Sequence, residues 1–341
     1  MCIRDRSLPG RKRIALTGDP APNRWHEIWT LLNFVAPDVF TSYWQFVEVL
    51  GSVNESFWGG KVISERVLRM DIWNEVWDRW VVSRKKLSIN QTWEFVPVTL
   101  SEPERKAYES MAKEWNVVNP KNNTRLDAST HLARLVRLQQ LAGGLGEWET
   151  FEDESGRLVS TYHHADPSAK VDELIVRLTG LRRAVVFTRF RDRAEYVADR
   201  ILGWGLAEPL LITGKVSEKE SNQRLQRFHS PTDEPLVAVC VYGTVSEGVN
   251  ELVSAQDIFF LDWGTAKDVS QAADRLDRPG QRGKVRCWVL YSEGTVDEGA
   301  IDREARKVRP LRDALRSPEG WKYLTGDWRL SKDSSDPLYL S

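Results

Sequence analysis

The sequence predicts an α/β fold whose main body is a parallel sheet flanked by helices. Three observations carry that prediction. From about residue 168 onward, strand-like runs alternate strictly with helical patterns. The runs are continuously apolar, as strands buried on both faces must be. Capping residues stand at the helix starts between them. The chain's 341 residues suffice for two domains. With 41% hydrophobic and 28% charged residues, it fits an ordinary soluble globular protein. A formal net charge of -1 excludes a globally basic protein, so any nucleic-acid contact must come from a local patch. Cys2, Cys240 and Cys287 have no metal-site spacing, and two lie in strand-like runs, which points to a reducing, cytoplasmic setting. No run is long enough to span a membrane and no secretory signal is visible.

In chain order, residues 1–7 run into a strand-like segment without a cap, and we expect them to be foreign to a protein that begins upstream. Residues 13–17 read as a short buried strand closed by a turn at 17–20. A helix capped by Asn23 follows, with Ile28, Leu31, Leu32 and Val35 at core spacing, and a second helix presents Phe40 to Leu50. From 61 to about 145 the pattern reads as helical, with a Trp73, Val76, Trp77, Trp80 stripe and a capping box at 101–104. Such stripes are expected to be core. Residues 146–163 read as a hairpin. Strands are then predicted at 184–188, 210–213, 236–241, 258–261 and 285–291. Helices between them carry Ala194, Val197, Ala198, Ile201 and Leu202, then Leu225 and Phe228, then residues 271–278. The expected domains are 1–60, 61–165, 166–310 and a polar tail at 311–341.

The chemistry gathers around 271–281. On a helix, Gln271, Arg275 and Arg278 share one face, backed by Ala272, Ala273 and Leu276. Two guanidinium forks so held suit a terminal phosphate; the alternative is a solvated face whose arginines pair with Asp274 and Asp277. In parallel sheets ligands sit at the carboxyl ends of the strands, where Thr188, Arg189, Thr244 and Asp262 fall. Taken singly, Thr188 and Thr244 read equally as turn hydroxyls, Gly248 as a hinge and Asp262 as a helix cap.

In their order these motifs resemble the carboxyl-terminal part of Swi/Snf-type ATPases, the DNA-translocating branch of superfamily-two helicases. The resemblance rests on 15–20 with 29–34, 84–108, 185–188, Gly214 with Arg224 and Phe228, 247–250, and the QAxDRxxRxGQ pattern of 271–281. It implies a complete second RecA-like lobe, the end of a first lobe and a helical insertion. It also implies catalytic Arg275, Arg278 and Gln271; nucleotide contacts from Glu247, Gly248, Asn250 and Gln281; DNA contacts from Thr188, Arg189, Thr244 and Ser246; and coupling through Thr17, Gly18 and Asp19. Its cofactors are ATP and Mg²⁺, and its partners double-stranded DNA and the missing part of the first lobe.

Several positions depart from the family pattern. Asp19 stands for Thr or Ser, Val245 and Ser246 for a Gly pair, Gly264 and Thr265 for Asn-Pro, and Asp277 and Pro279 for His and Ile. These point to a divergent, phage- or bacterial-like branch. A phosphate loop is absent, since Val216 follows Gly214 and Lys215 where Ser or Thr is needed. Asp172 and Glu173 stand at a helix start, a poor place for Mg²⁺ ligands. The expected function is therefore the carboxyl-terminal part of an ATP-driven duplex DNA translocase, inactive alone. The alternatives are an RNA- or DNA-unwinding helicase and a non-catalytic nucleic-acid-binding module.

Overall fold

The computed structural model describes residues 12–17, 20–21, 24–56, 59–83, 91–119, 123–152, 158–244 and 250–315. They form two compact units, one from the residues up to 83 together with 303–315, the other from 91–302.

In the first unit a 3-10 turn, Trp25–Ile28, leads into α1 (Trp29–Val35), followed by α2 (Tyr43–Leu50). A small antiparallel pair, β1 (Val53–Glu55) and β2 (Lys61–Ile63), precedes α3 (Met70–Trp80). Trp25, Phe46, Trp73 and Trp77 fill its core, so the aromatic stripe is packing, as its spacing predicts. Buried indole N–H groups need acceptors; Trp25 Nε1 donates to the Ser64 carbonyl at 2.9 Å and Trp73 Nε1 to that of Ala314 at 2.6 Å. Gly51 is required here, because a Cβ would lie 2.5 Å from Ser64 Oγ and 2.8 Å from the Trp25 ring. The buried strand expected at 13–17 is not formed. Leu16 is 93% exposed, and no strand among the described residues pairs with this segment to satisfy its backbone. The cap expected at Asn23 lies outside the described residues.

The second unit opens with β3 (Gln91–Val98), in the stretch read as helical. Next come α4 (Glu102–Glu114), the hairpin β4 (Asn116–Val118) and β5 (Arg125–Asp127), α5 (His131–Leu141), and the hairpin β6 (Glu147–Glu152) and β7 (Leu158–His163). Strands and helices then alternate: α6 (Ala169–Leu178), β8 (Arg183–Thr188), α7 (Arg191–Gly203), β9 (Glu208–Ile212), α8 (Glu218–His229) and β10 (Leu236–Val241). The alternation ends with β11 (Asp257–Phe260), α9 (Ala266–Leu276), β12 (Val285–Ser292) and α10 (Val296–Ala314), whose last residues join the first unit. None of the described helices is long and apolar enough to cross a membrane.

Six strands form one parallel sheet in the order β3-β12-β11-β8-β10-β9. One face buries Val186, Val239, Phe259 and Leu261 against Val171, Leu174, Val197 and Ile201 of α6 and α7. The oppositely directed Val185, Phe187, Cys240, Ile258 and Phe260 are buried too, hence the continuous apolar runs. Pro97 in β3 and Pro209 in β9 both lie on the sheet's outermost strands, where a missing N–H is tolerated. Leu202, expected at core spacing, is exposed at 65%. It sits about 100° around its helix from buried Ile201.

Candidate functional site

The chain leaves β8 to build β9 and β10 on one side, and later β11 and β12 on the other. The carboxyl end of β8 is therefore the switch point at which open α/β sheets bind ligands. Thr188 ends β8, and Asp262 follows β11 beside it.

Asp262 is buried and organises these strand ends. One carboxylate oxygen accepts the Thr188 hydroxyl and the Arg189 backbone N–H, the latter at 3.0 Å; the other pairs with the Arg193 guanidinium. Its carbonyl accepts the Tyr242 hydroxyl at 3.0 Å. Arg193 is fully buried. Its Nη2 donates to the carbonyls of Gln139 at 3.0 Å and Gln140 at 2.9 Å, and its Nε to His164 Nε2 at 2.5 Å. Burial lowers the pKa of this guanidinium, yet an arginine keeps its charge, and Asp262 supplies the countercharge. His164 is held well below the usual histidine range by burial and by the neighbouring Arg193 and Lys170 charges. A second buried cation, Lys170, approaches from α6 and donates to the Leu261 carbonyl at 3.1 Å and to Asp297. Burial lowers its pKa, against the opposing pull of Asp297. Two buried cations thus converge on the end of β11.

This arrangement corrects one sequence-based role. Thr188 is fully buried with its hydroxyl committed to Asp262, so it is the turn hydroxyl and has no surface to offer a DNA backbone. Thr244 is half-buried and donates to the carbonyls of Val241 at 2.6 Å and Ile212 at 3.0 Å. Arg189 is exposed, with Nη1 3.4 Å from Gln139 Oε1.

The arginine segment also differs from expectation. Thr265 and Asp268 form the capping box of α9, and Val269, Ala272, Ala273 and Leu276 bury its inner side. The helix stops at Leu276. Residues before a proline avoid helical backbone, so Arg278, which precedes Pro279, leaves the helix and does not share a helical face with Gln271 and Arg275. Gln271 is exposed and Arg275 buried. Arg278 instead turns to donate to Asn250 Oδ1, joining two of the predicted ligand segments. Gln281 is saturated by backbone. Its Nε2 donates to the carbonyls of Val253, Ala255 and Leu276 at 3.1, 2.7 and 3.2 Å, and its Oε1 accepts N–H groups from Arg282 and Gly283. It is a bolt for the turn after α9, with no polar atom left for a nucleotide. Ser246, Glu247, Gly248, Gly18 and Asp19 lie outside the described residues, while Thr17 is exposed in the first unit.

Arg193, Lys170 and His164 were not among the sequence candidates. Arg193, Val197 and Ile201 stand at i, i+4 and i+8, all fully buried, and Lys170, Leu174 and Leu178 repeat the pattern on α6. A charge at a core position of an amphipathic helix was the available signal.

A family model described as the SNF2-related domain matches residues 4–143. The chain is 24% identical over 324 residues to the ISWI chromatin-remodeling complex ATPase ISW1 of Saccharomyces cerevisiae, covering 89% of this chain and 27% of that protein. It is 25% identical over 318 residues to the SWI/SNF-related matrix-associated actin-dependent regulator of chromatin subfamily A member 1 of Homo sapiens, covering 89% and 29% respectively. The chain thus spans under a third of the length of these curated relatives. Among solved structures, the Sulfolobus solfataricus SWI2/SNF2 ATPase core in complex with dsDNA aligns with a TM-score of 0.46 and 20% identity, covering 91% of this chain and 64% of that one.

Proposed function

We propose, taking as premise that the chain is a relative of the Swi/Snf-type ATPases, that it supplies the second-lobe half of an ATP-driven double-stranded DNA translocase. The observation that carries this reading is the meeting of Arg278 with Asn250, two ligand segments 28 positions apart in sequence. Arg275 and Arg278 serve as phosphate-directed cations, stabilising charge that develops on the transferred phosphoryl group. Asn250 holds Arg278 in place until nucleotide arrives. Gln281 acts through the turn it bolts, and Gln271, exposed, stands one helical turn before Arg275 on α9. Arg189 contacts the DNA backbone without reading sequence; the resemblance gives Thr244 and Ser246 the same role.

Mg²⁺ does not fit the residues in hand. No group of three or more His, Cys, Asp or Glu side chains able to hold a metal is found among the described residues. Its ligands are assigned to the part of the first lobe that carries the phosphate loop.

The test is Arg278→Ala in the protein that includes that phosphate loop. DNA-stimulated ATP hydrolysis should fall on the order of 10³-fold, with a much smaller change in nucleotide affinity. Wild-type turnover in the variant would remove Arg278 from the reaction. Strand displacement without duplex translocation would favour an unwinding helicase, and binding without any hydrolysis a non-catalytic module.

A further inference from the structure

We propose that the buried Arg193–Asp262 pair is a positioning device that makes the Arg189 turn and the base of α9 one rigid body. Only the use of Arg189 as a phosphate contact rests on the reading above; the positioning itself rests on geometry.

Asp262 is engaged from three directions: it accepts from Thr188 and Arg189 at the end of β8, pairs with the Arg193 cation on α7, and, through its carbonyl, accepts from Tyr242 just past β10. Three residues later, Thr265 caps α9. The ends of β8, β10 and β11 and the start of the arginine segment are therefore tied through one residue. Arg193 extends the tie to a fourth place, the end of α5, through the carbonyls of Gln139 and Gln140. The guanidinium lies so close to Gly143 that a Cβ there would be 2.0 Å from its Cζ and its Nη2. Arg189 leans on the same end of α5 through Gln139.

A buried ion pair is weak support for stability, because an apolar pair of equal volume fills the space as well. An apolar residue at 262, however, would leave the Thr188 hydroxyl and the Arg189 N–H without their acceptor. What the pair provides is a fixed direction for Arg189 relative to α9. A phosphate gripped by Arg189 then bears on the arginine segment through Asp262.

Two variants of the whole chain test this, Arg193→Lys and Asp262→Asn. An amide offers one acceptor oxygen and no charge, where the carboxylate serves two donors with one oxygen and pairs with the Arg193 cation through the other. Residue-resolved amide exchange should rise about tenfold or more at 189–190 and 263–266, while β9 and β12 keep their protection. In duplex-binding titrations, Arg189→Ala should lower the salt slope by about one in the parent chain and change little in the Asp262→Asn background, a non-additivity that a merely structural role would not produce. Exchange rising evenly across the sheet, or Arg189→Ala keeping its full effect in that background, would overturn the proposal. If Arg193→Lys does not fold, Asp262→Asn carries both measurements. If the parent chain binds no duplex, the DNA reading fails, and the exchange pattern still decides the positioning.

Discussion

At the scale of single residues, the charges that matter most to this fold are those withdrawn from water. Arg193 is enclosed by carbonyls, His164 and Asp262. Removing the cation alone leaves a buried carboxylate without its partner, so Arg193→Met should cost about 3–5 kcal/mol of unfolding free energy. A urea titration showing a loss below about 1 kcal/mol would mean that Asp262 is neutralised some other way. His164 makes a second expectation. Its folded pKa lies well below 6.5, so below about pH 6.5 the unfolded chain takes up a proton that the folded one refuses. Stability should therefore fall as pH drops from 7 to 5, by up to about 1.4 kcal/mol per pH unit for this group. His26, lowered chiefly by burial and also by Arg24, adds with the same sign. Melting curves across this range should be flatter for His164→Gln than for the parent, and an unchanged pH dependence would contradict the assignment. These residues could be read from sequence only as charges at core spacing. The partners of Arg193 lie 29 to 69 positions away on other elements, and no local pattern names a distant partner.

At the scale of elements, periodicity located most of the second unit, and it failed where a partner strand was remote. β8, β10, β11 and β12 are continuous apolar runs and were legible within a residue or two. β3 was not, because its exposure alternates, Pro97 interrupts it, and it pairs, among the described residues, with β12, nearly two hundred residues on. The expected strand at 13–17 failed in the opposite way, as apolar residues whose pairing no described strand supplies. The arginine helix was legible in its buried side and capping box, but its last turn was not. Proline's constraint on the preceding residue ends the helix before Arg278, and Gln281 then fixes the turn. Gln281→Ala removes five hydrogen bonds from partly buried backbone. It should destabilise the fold by about 1–3 kcal/mol and free Arg278 from Asn250. Broadening of the Asn250 and Arg278 side-chain resonances would report that release. Sharp, unmoved signals would show that the turn holds without its bolt.

For the whole molecule, charge argues where DNA must bind if it binds at all. With a net charge of -1, the chain has no long-range attraction for a polyanion, and affinity must come from a local surface. Arginines at both ends of the second unit's sheet compete for that role. At the carboxyl ends of the strands stands exposed Arg189. At the amino ends, a cavity of about 740 Å³ is lined by Arg182, Arg183 and Arg286 together with Asp233 and Asp257. β8 separates Arg182 from Arg189, about 20 Å along the strand axis. At the amino end, Arg182 pairs with Asp233 at 2.5 Å and Arg286 with Asp257 at 2.6 Å, so much of its charge is already answered. The carboxyl end should therefore dominate. Binding of a short duplex, followed by anisotropy at several salt concentrations, should give a linear dependence of log affinity on log salt. Arg189→Ala should reduce the slope by about one, and Arg182→Ala should leave it unchanged. The reverse ranking would move the DNA surface to the amino ends of the strands, away from Arg189 and the carboxyl end of β8.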